Sequence, residues 1–283
     1  MLEAIVHDCN EDFLAQRIAQ SSLIAFDLDN TLACSRQPML PDMASILSDL
    51  MCIKPIAIIT GGCLGLVKSQ VLDVLNPYVK LENCHIMPTN GTRYYRIDND
   101  GKLYCVYAHN ISPEDAKRIT EVIRFNAHKL GLLKEKGDPD LWGEQIENRG
   151  SQITFSALGQ QAPANRKKAW DPQGLLKNEL TKAIAKDLPD FAVRSGGDTS
   201  VDVYCMGDDK AHALLALADF CSIDVMDTVF IGDRMCEGGN DYPTAFTGAL
   251  AVEVRNPQDT FSLCKEVLKA IRFSLESTEL KEA

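Results

Sequence analysis

Two carboxylates two residues apart, Asp27 and Asp29, stand directly after the apolar run Leu23–Phe26 in LIAFDLDNTL. A strand that delivers two acids to its carboxyl end concentrates like charge, which a divalent cation or a proton between them relieves. The arrangement recurs. KPIAIIT ends at Thr60 and the pair Gly61-Gly62, and the run Thr228–Ile231 ends at Gly232-Asp233, with Asn240 and Asp241 close behind. A fourth segment, Gly207-Asp208-Asp209-Lys210, opens an apolar helical stretch and brings a lysine to its N-terminus, where free N–H groups favour an anion. Taken singly, Asp27 is a solvated strand end, Thr60 a strand-end hydroxyl and Lys210 a solvated helix lysine. Taken in order, they place acids, a hydroxyl and an ammonium where neighbouring strands of one sheet would end.

The elements that must position these residues follow from the pattern. Short continuous apolar runs are strands buried on both faces. Strands are expected at 23–26, 54–60, 84–88, 228–231 and 250–254, alternating with helices at 10–20 (Asn10 as N-cap), 41–51, 64–75, 211–220 and 257–275. That alternation is the signature of an α/β, doubly wound parallel sheet, which binds ligands at the carboxyl ends of its strands. Between Thr60 and Lys210 the pattern changes. A tyrosine-rich hairpin (94–97 and 102–107), helices at 112–130 and 171–188, an alternating, half-exposed strand at 152–158 and strands at 191–194 and 200–205 read as an inserted α+β layer. The expected boundaries are 1–96 and 206–283 for the core, and 97–205 for the insertion.

Composition narrows the class. The 283 residues carry 29 Lys plus Arg against 40 Asp plus Glu, a net charge of −11, which argues against a nucleic-acid partner. No apolar run approaches the roughly 20 residues of a membrane helix, and the start MLEAIVHDCNEDF lacks the pattern of a signal peptide. Ten cysteines occur with no Cys-x-x-Cys pair, as expected of free thiols, most of them buried as small apolar groups, in a reducing cytoplasm. The five histidines do not fall at ligand spacing, and no zinc site is expected.

Asp27-x-Asp29-x-Thr31, Thr60, Lys210 and Asp233…Asn240-Asp241, in that order, resemble the four motifs of haloacid-dehalogenase-like phosphotransferases. The insertion lies in the place of that superfamily's larger cap, the C2B type of subfamily IIB. By this resemblance Asp27 is the nucleophile that forms an aspartyl phosphate, and Asp29 is general acid, then base. Thr60 and Lys210 bind the transferring phosphoryl group. Mg²⁺ is expected on Asp27, Asp233 and the Asp29 carbonyl, with Asp241 nearby. In the insertion, IENRGSQITFSALGQ and RSGGDTSVDVYCMGDDK are similar to the eukaryotic-type phosphomannomutases and their bacterial sugar-phosphatase relatives. That likeness implies contacts to a small phosphorylated substrate from Arg36, Gly61 and Asn240, and from Arg149, Ser200 and Asp202 in the cap.

The chain also departs from that pattern. Gln160 and Lys167 stand where the mutases carry arginines, and Asn30 replaces their usual glycine. A mutase must hold a second, non-reacting phosphate while its bisphosphate intermediate turns round. Replacing a charge-assisted contact by a neutral one loses roughly 1–2 kcal/mol. The expected activity is therefore Mg²⁺-dependent hydrolysis of a sugar phosphate. A phosphohexomutase is the alternative, and a non-catalytic sugar-phosphate-binding protein the remote one.

Overall fold

Leu23–Phe26, Ile56–Ile59 and Thr228–Gly232 are neighbouring parallel strands in which every residue is buried, as their unbroken apolar runs require. The computed structural model describes residues 4–282, with side chains to residue 275. The chain runs β1 (Val6–Asp8), α1 (Leu14–Gln20), β2 (Leu23–Phe26), α2 (Pro41–Met51), β3 (Ile56–Ile59), α3 (Leu64–Gln70), β4 (Cys84–Met87), β5 (Arg93–Ile97) and β6 (Leu103–Ala108). It continues with α4 (Pro113–Lys129), β7 (Ile146–Asn148), β8 (Gln152–Ser156), α5 (Ala164–Trp170), α6 (Leu175–Asp187), β9 (Phe191–Ser195) and β10 (Ser200–Cys205). It closes with α7 (Lys210–Phe220), β11 (Thr228–Gly232), β12 (Leu250–Glu253) and α8 (Pro257–Glu282).

Two compact units result: Met1–Tyr107 with Lys210–Glu237 and Asp241–Ala283, and Ala108–Asp209 with Gly238–Asn240. The first is a sheet of order β1-β12-β11-β2-β3-β4-β5-β6, parallel from β1 to β4. Strand alternation sorts its side chains onto two faces. Ile24, Phe26, Ile56, Ile58 and Ile231 pack with α1, α2, α3 and α8; Leu23, Ala25, Ala57, Ile59 and Phe230 pack with α7. The unit extends past residue 96, because the hairpin's second strand, β6, continues the large sheet at its edge. The insertion thus begins about a strand later than its composition suggested.

The second unit is an antiparallel sheet of order β7-β8-β10-β9. Ile153, Phe155, Val201 and Val203 face α4 and α6 in a separate apolar core. On the other face Asp202 pairs with Thr154, and Ser200 with Ser156. β8 is buried on both faces, not half-exposed: its polar face, Gln152, Thr154 and Ser156, is as covered as its apolar one.

Four local expectations differ. The first helix starts at Leu14 rather than Asn10, because Asp8 takes the Asn10 N–H and Glu11 takes the Asp8 N–H, forming turns ahead of it. The helix expected at 171–188 starts at Leu175, with Asp171 accepting the N–H groups of Leu175 and Lys177; a separate helix, α5, precedes it. Helix α3 ends at Gln70, and a short 3₁₀ turn follows. All ten cysteines are free, yet only Cys84 and Cys264 are buried, so the thiols are mostly part-exposed rather than core residues. Among the described residues no helix is long and apolar enough to cross a membrane.

Candidate active site

Strand alternation brings the first acid to its partner. Leu23 and Ala25 face α7, so Asp27, next in that series, faces α7 too, and Lys210 is the first residue of that helix. Lys210 Nζ lies 2.5 Å from Asp27 Oδ1 and 2.6 Å from Asp241 Oδ1, with the ammonium fully buried. Asp27 is tied to the neighbouring strand by its N–H, which donates to Ile231 O at 2.9 Å. Asp241 accepts the Arg234 N–H at 3.0 Å through its other oxygen, Oδ2. A Cβ on Gly232 would stand 2.5 Å from that oxygen, so glycine is what lets Asp241 approach the strand end.

One oxygen from each of Asp27, Asp233 and Asp241 lies within 4.8 Å of the others. Three carboxylates against one ammonium leave two formal negative charges, which a divalent cation would cancel. The protonation equilibria register that imbalance. Burial lifts the Asp27 carboxyl well above its usual range; Lys210 opposes the rise, and Asp241 and Asp233 add to it. Burial, then Asp241, raises Asp233 to about 6. For Lys210 burial alone would lower the pKa, but Asp241 and Asp27 outweigh it and hold the ammonium above its ordinary value. Buried, close-set carboxylate oxygens are the donors a hard ion such as Mg²⁺ takes, so the residues fit that ion.

Asp29 lies at the start of a tight loop, bridged to Ala33. Its Oδ1 accepts the Arg36 N–H at 3.0 Å and the Gln70 amide at 3.2 Å. Asn30 has φ +63°, a left-handed conformation that asparagine tolerates, and its side chain hydrogen-bonds Asp233. The residue that departs from the family's glycine thus keeps the backbone shape glycine would give. Thr60 is buried at the end of β3; its N–H donates to Met87 O, and its Oγ1 accepts the Gly62 N–H at 3.1 Å. Gly61 follows it at the same strand end.

The structure therefore gathers Asp27, Lys210, Asp233 and Asp241 into one cluster, with Asp29, Arg36, Thr60 and Gly61 in the same unit. Arg149, Ser200 and Asp202 belong to the second unit, and Asn240 groups with it. There Arg149 donates to Glu147 at 2.7 Å and to Gln160 Oε1 at 3.3 Å, and Asp202 accepts the Thr154 hydroxyl at 2.7 Å. Ser200 is half-buried. Two buried lysines join them: Lys167 donates to Gln160 O and Lys177 to Gly197 O. Asn240 Oδ1 is buried with no hydrogen-bond partner among the described residues.

Sequence reasoning missed Lys177 and Gln70. Lys177 carried no signal, since its helix reads as an ordinary amphipathic one. Gln70 did: it stands between Val67 and Val71 on the buried stripe of α3, where an amide needs a partner.

Residues 43–270 match the family described as eukaryotic phosphomannomutase; Thr60, Lys210, Asp233, Asp241 and the whole second unit lie inside the match, and Asp27 and Asp29 outside it. A phosphomannomutase of Spinacia oleracea is 27% identical over 257 residues, spanning 88% of this chain and 97% of that protein. Phosphomannomutase 1 of Homo sapiens is 26% identical over 261 residues, spanning 89% and 94%. Among solved structures, the IMP-nucleotidase of Plasmodium falciparum superposes with a TM-score of 0.68 at 20% identity, over 90% of this chain and 71% of that one. The C-terminal domain of trehalose-6-phosphate phosphatase from C. albicans gives 0.63 at 13% identity, over 94% and 99%. These two likenesses concern the fold: a haloacid-dehalogenase-like core carrying a cap.

Proposed function

Because the chain belongs to the eukaryotic phosphomannomutase family, we propose that it interconverts the 6- and 1-phosphates of a hexose such as mannose or glucose, passing the phosphoryl group through Asp27. The observation that carries this reading is the buried cluster in which Lys210 bridges Asp27 and Asp241 at the carboxyl ends of the central strands.

In this mechanism Lys210 holds Asp27 Oδ1, while Oδ2, which has no hydrogen-bond partner among the described residues, attacks phosphorus. As the ester bond breaks, its electron pair passes to the sugar oxygen, which takes a proton from Asp29. Thr60 and Lys210 offset the charge on the transferring oxygens. Asp241, whose two oxygens already accept from Lys210 and Arg234, holds the lysine in place. Asp27 and Asp233, with the Asp29 carbonyl, would hold Mg²⁺, which when bound polarises a phosphoryl oxygen. In the other half, the free hydroxyl of a hexose monophosphate gives its proton to Asp29 and attacks the aspartyl phosphate, forming the bisphosphate, which turns round and passes its other phosphoryl group to Asp27. Arg149, Ser200 and Asp202 are our candidates for gripping the sugar and its second phosphate, with Lys167 and Lys177 adding cationic charge to the same unit.

Hydrolysis is the second reading. Gln160 supports it, because a neutral amide occupies the position of an arginine and Arg149 shares its charge with Glu147. A coupled assay with Mg²⁺ separates the two. The proposal expects interconversion stimulated by hexose 1,6-bisphosphate and abolished by EDTA, faster than phosphate release. Phosphate release without interconversion would replace it by hydrolysis, and no turnover of either kind would leave a binding protein.

A further inference from the structure

We propose that Gln70 is a positioning residue for Asp29: with the Arg36 backbone N–H it holds one carboxyl oxygen, so that the proton exchanged with the sugar oxygen travels on the other. The inference rests on the reading of Asp29 as general acid and base given above.

Gln70 is 1% exposed, at the last position of α3. Its Nε2 faces three acceptors: Asp29 Oδ1 at 3.2 Å, Gln37 O at 3.1 Å and Cys34 O at 3.5 Å. A flipped amide would set an oxygen against three oxygens, so the chemistry of the surroundings fixes its orientation. The cost of that orientation is visible at the other end. Gln70 Oε1 is buried with no partner among the described residues, a cost that an aliphatic side chain would avoid, but only by giving up the donor that faces these three acceptors. Packing therefore does not account for an amide here, and the donor end does.

The grip is double. Cys34 and Gln37, whose carbonyls Gln70 holds, flank Arg36 in a turn closed by the Gln37 N–H on Cys34 O at 2.8 Å. Arg36 has φ +59°, an uncommon conformation for a side chain of its size, and in that conformation its N–H reaches Asp29 Oδ1 at 3.0 Å. The Gln70 carbonyl also accepts the Met39 N–H, fastening the far side of the loop. Both donors thus converge on Oδ1, directly and through the turn, and Oδ2 has no partner among the described residues. An oxygen that accepts two N–H bonds is a poor place for a proton, so the acid's hydrogen sits on Oδ2. When the phosphate ester breaks, the sugar oxygen takes that hydrogen, and the charge left on the carboxylate is spread toward two waiting donors. The incoming hydroxyl returns a proton to Oδ2 in the second half.

The test compares two substrates by kcat/KM, which reports phosphorylation of the enzyme. A hexose 1,6-bisphosphate expels an alkoxide that needs a proton; 4-nitrophenyl phosphate expels a phenolate that does not. Gln70→Leu should lose roughly 10- to 100-fold on the hexose phosphate, and less than about threefold on the aryl phosphate. Any fall in melting temperature from the lost donor to Gln37 O should leave the contrast between the two substrates intact. Asp29→Asn should show the same selectivity with a larger loss. Equal losses on both substrates, or none on either, would overturn the role of Gln70. A non-selective Asp29→Asn would overturn the acid–base reading beneath it as well. If Gln70→Leu does not fold, Gln70→Met, unbranched and close in length, carries the same test.

Discussion

Asp241 in the core and Asp202 in the cap are both buried acids, each lying over a glycine that makes room for it, yet they are answered by different chemistry. A Cβ on Gly232 would meet Asp241 Oδ2 at 2.5 Å, and one on Gly196 would meet Asp202 Oδ2 at 2.7 Å. Asp241 is matched by a buried ammonium that also holds Asp27. Asp202 takes the hydroxyl of Thr154, itself bonded to the Gln152 amide. The core concentrates formal charge where strand ends meet the start of α7, with Asp27 fixed by backbone pairing and Lys210 by its place at the head of the helix. The cap lines a buried face with hydroxyls and amides, with its guanidinium Arg149 held by Glu147 and Gln160. Reaction chemistry needs the first arrangement, because developing charge is stabilised best by groups that need not move. Recognition of a polyol suits the second, because hydroxyls and amides both donate and accept.

The largest expected effect tests that division directly. Lys210→Met leaves Asp27 and Asp241 buried without their cation, and should destabilise the core by on the order of 3–5 kcal/mol. Activity should fall about 10²- to 10³-fold in the fraction that remains folded. Arg149→Met removes contacts to a half-exposed Glu147 and to the neutral amide of Gln160, and should cost about 1–2 kcal/mol, with KM rising more than kcat falls. Equal destabilisation of the two variants in urea titrations would erase the contrast.

A smaller effect follows from His85 on β4. Burial, with Arg96 adding to it, lowers its pKa to about 4, and its Nδ1 lies 2.7 Å from the Tyr94 hydroxyl. Unfolded, the same imidazole protonates near pH 6.5. Between those values the unfolded chain binds the extra proton, so stability falls as pH drops from about 6.5 to 4, by up to about 3 kcal/mol in total. His85→Gln should flatten this part of the stability–pH curve; an unchanged slope would show that His85 does not report on the core.

The smallest effect bears on the cap. Gln160→Arg restores a cation beside Arg149 and Glu147, and should shift the ratio of interconversion to phosphate release about tenfold toward interconversion. A ratio unmoved by this exchange would mean that position 160 does not decide what the enzyme does with its intermediate.

How far the sequence revealed this arrangement depended on what stabilises each part. β2, β3 and β11 were legible because parallel strands buried on both faces need unbroken apolar runs, and the polar ends of β2 and β11 marked the edge where the acids gather. β1 was missed, since a three-residue edge strand in IVHDCN carries no pattern of its own. β8 was recognised as a strand but misjudged as half-exposed: alternation distinguishes polar from apolar faces, and cannot tell a covered polar face from a wet one. The hairpin was found, while its membership of the large sheet depends on a long-range pairing invisible in local spacing. The arginine losses at Gln160 and Lys167 pointed to hydrolysis, and the family match weighs against that, since the cap supplies cations from Lys167 and Lys177 as well.

Phosphorylation of Asp27 can be measured by acid-quenching the enzyme during turnover with hexose 1,6-bisphosphate and Mg²⁺, then reducing any acyl phosphate with borohydride and mapping the peptide. Homoserine is expected at position 27 and nowhere else, and is expected to be absent in Asp27→Asn. An actively turning-over enzyme whose Asp27 remains aspartate, or whose label falls on another residue, would contradict transfer through Asp27.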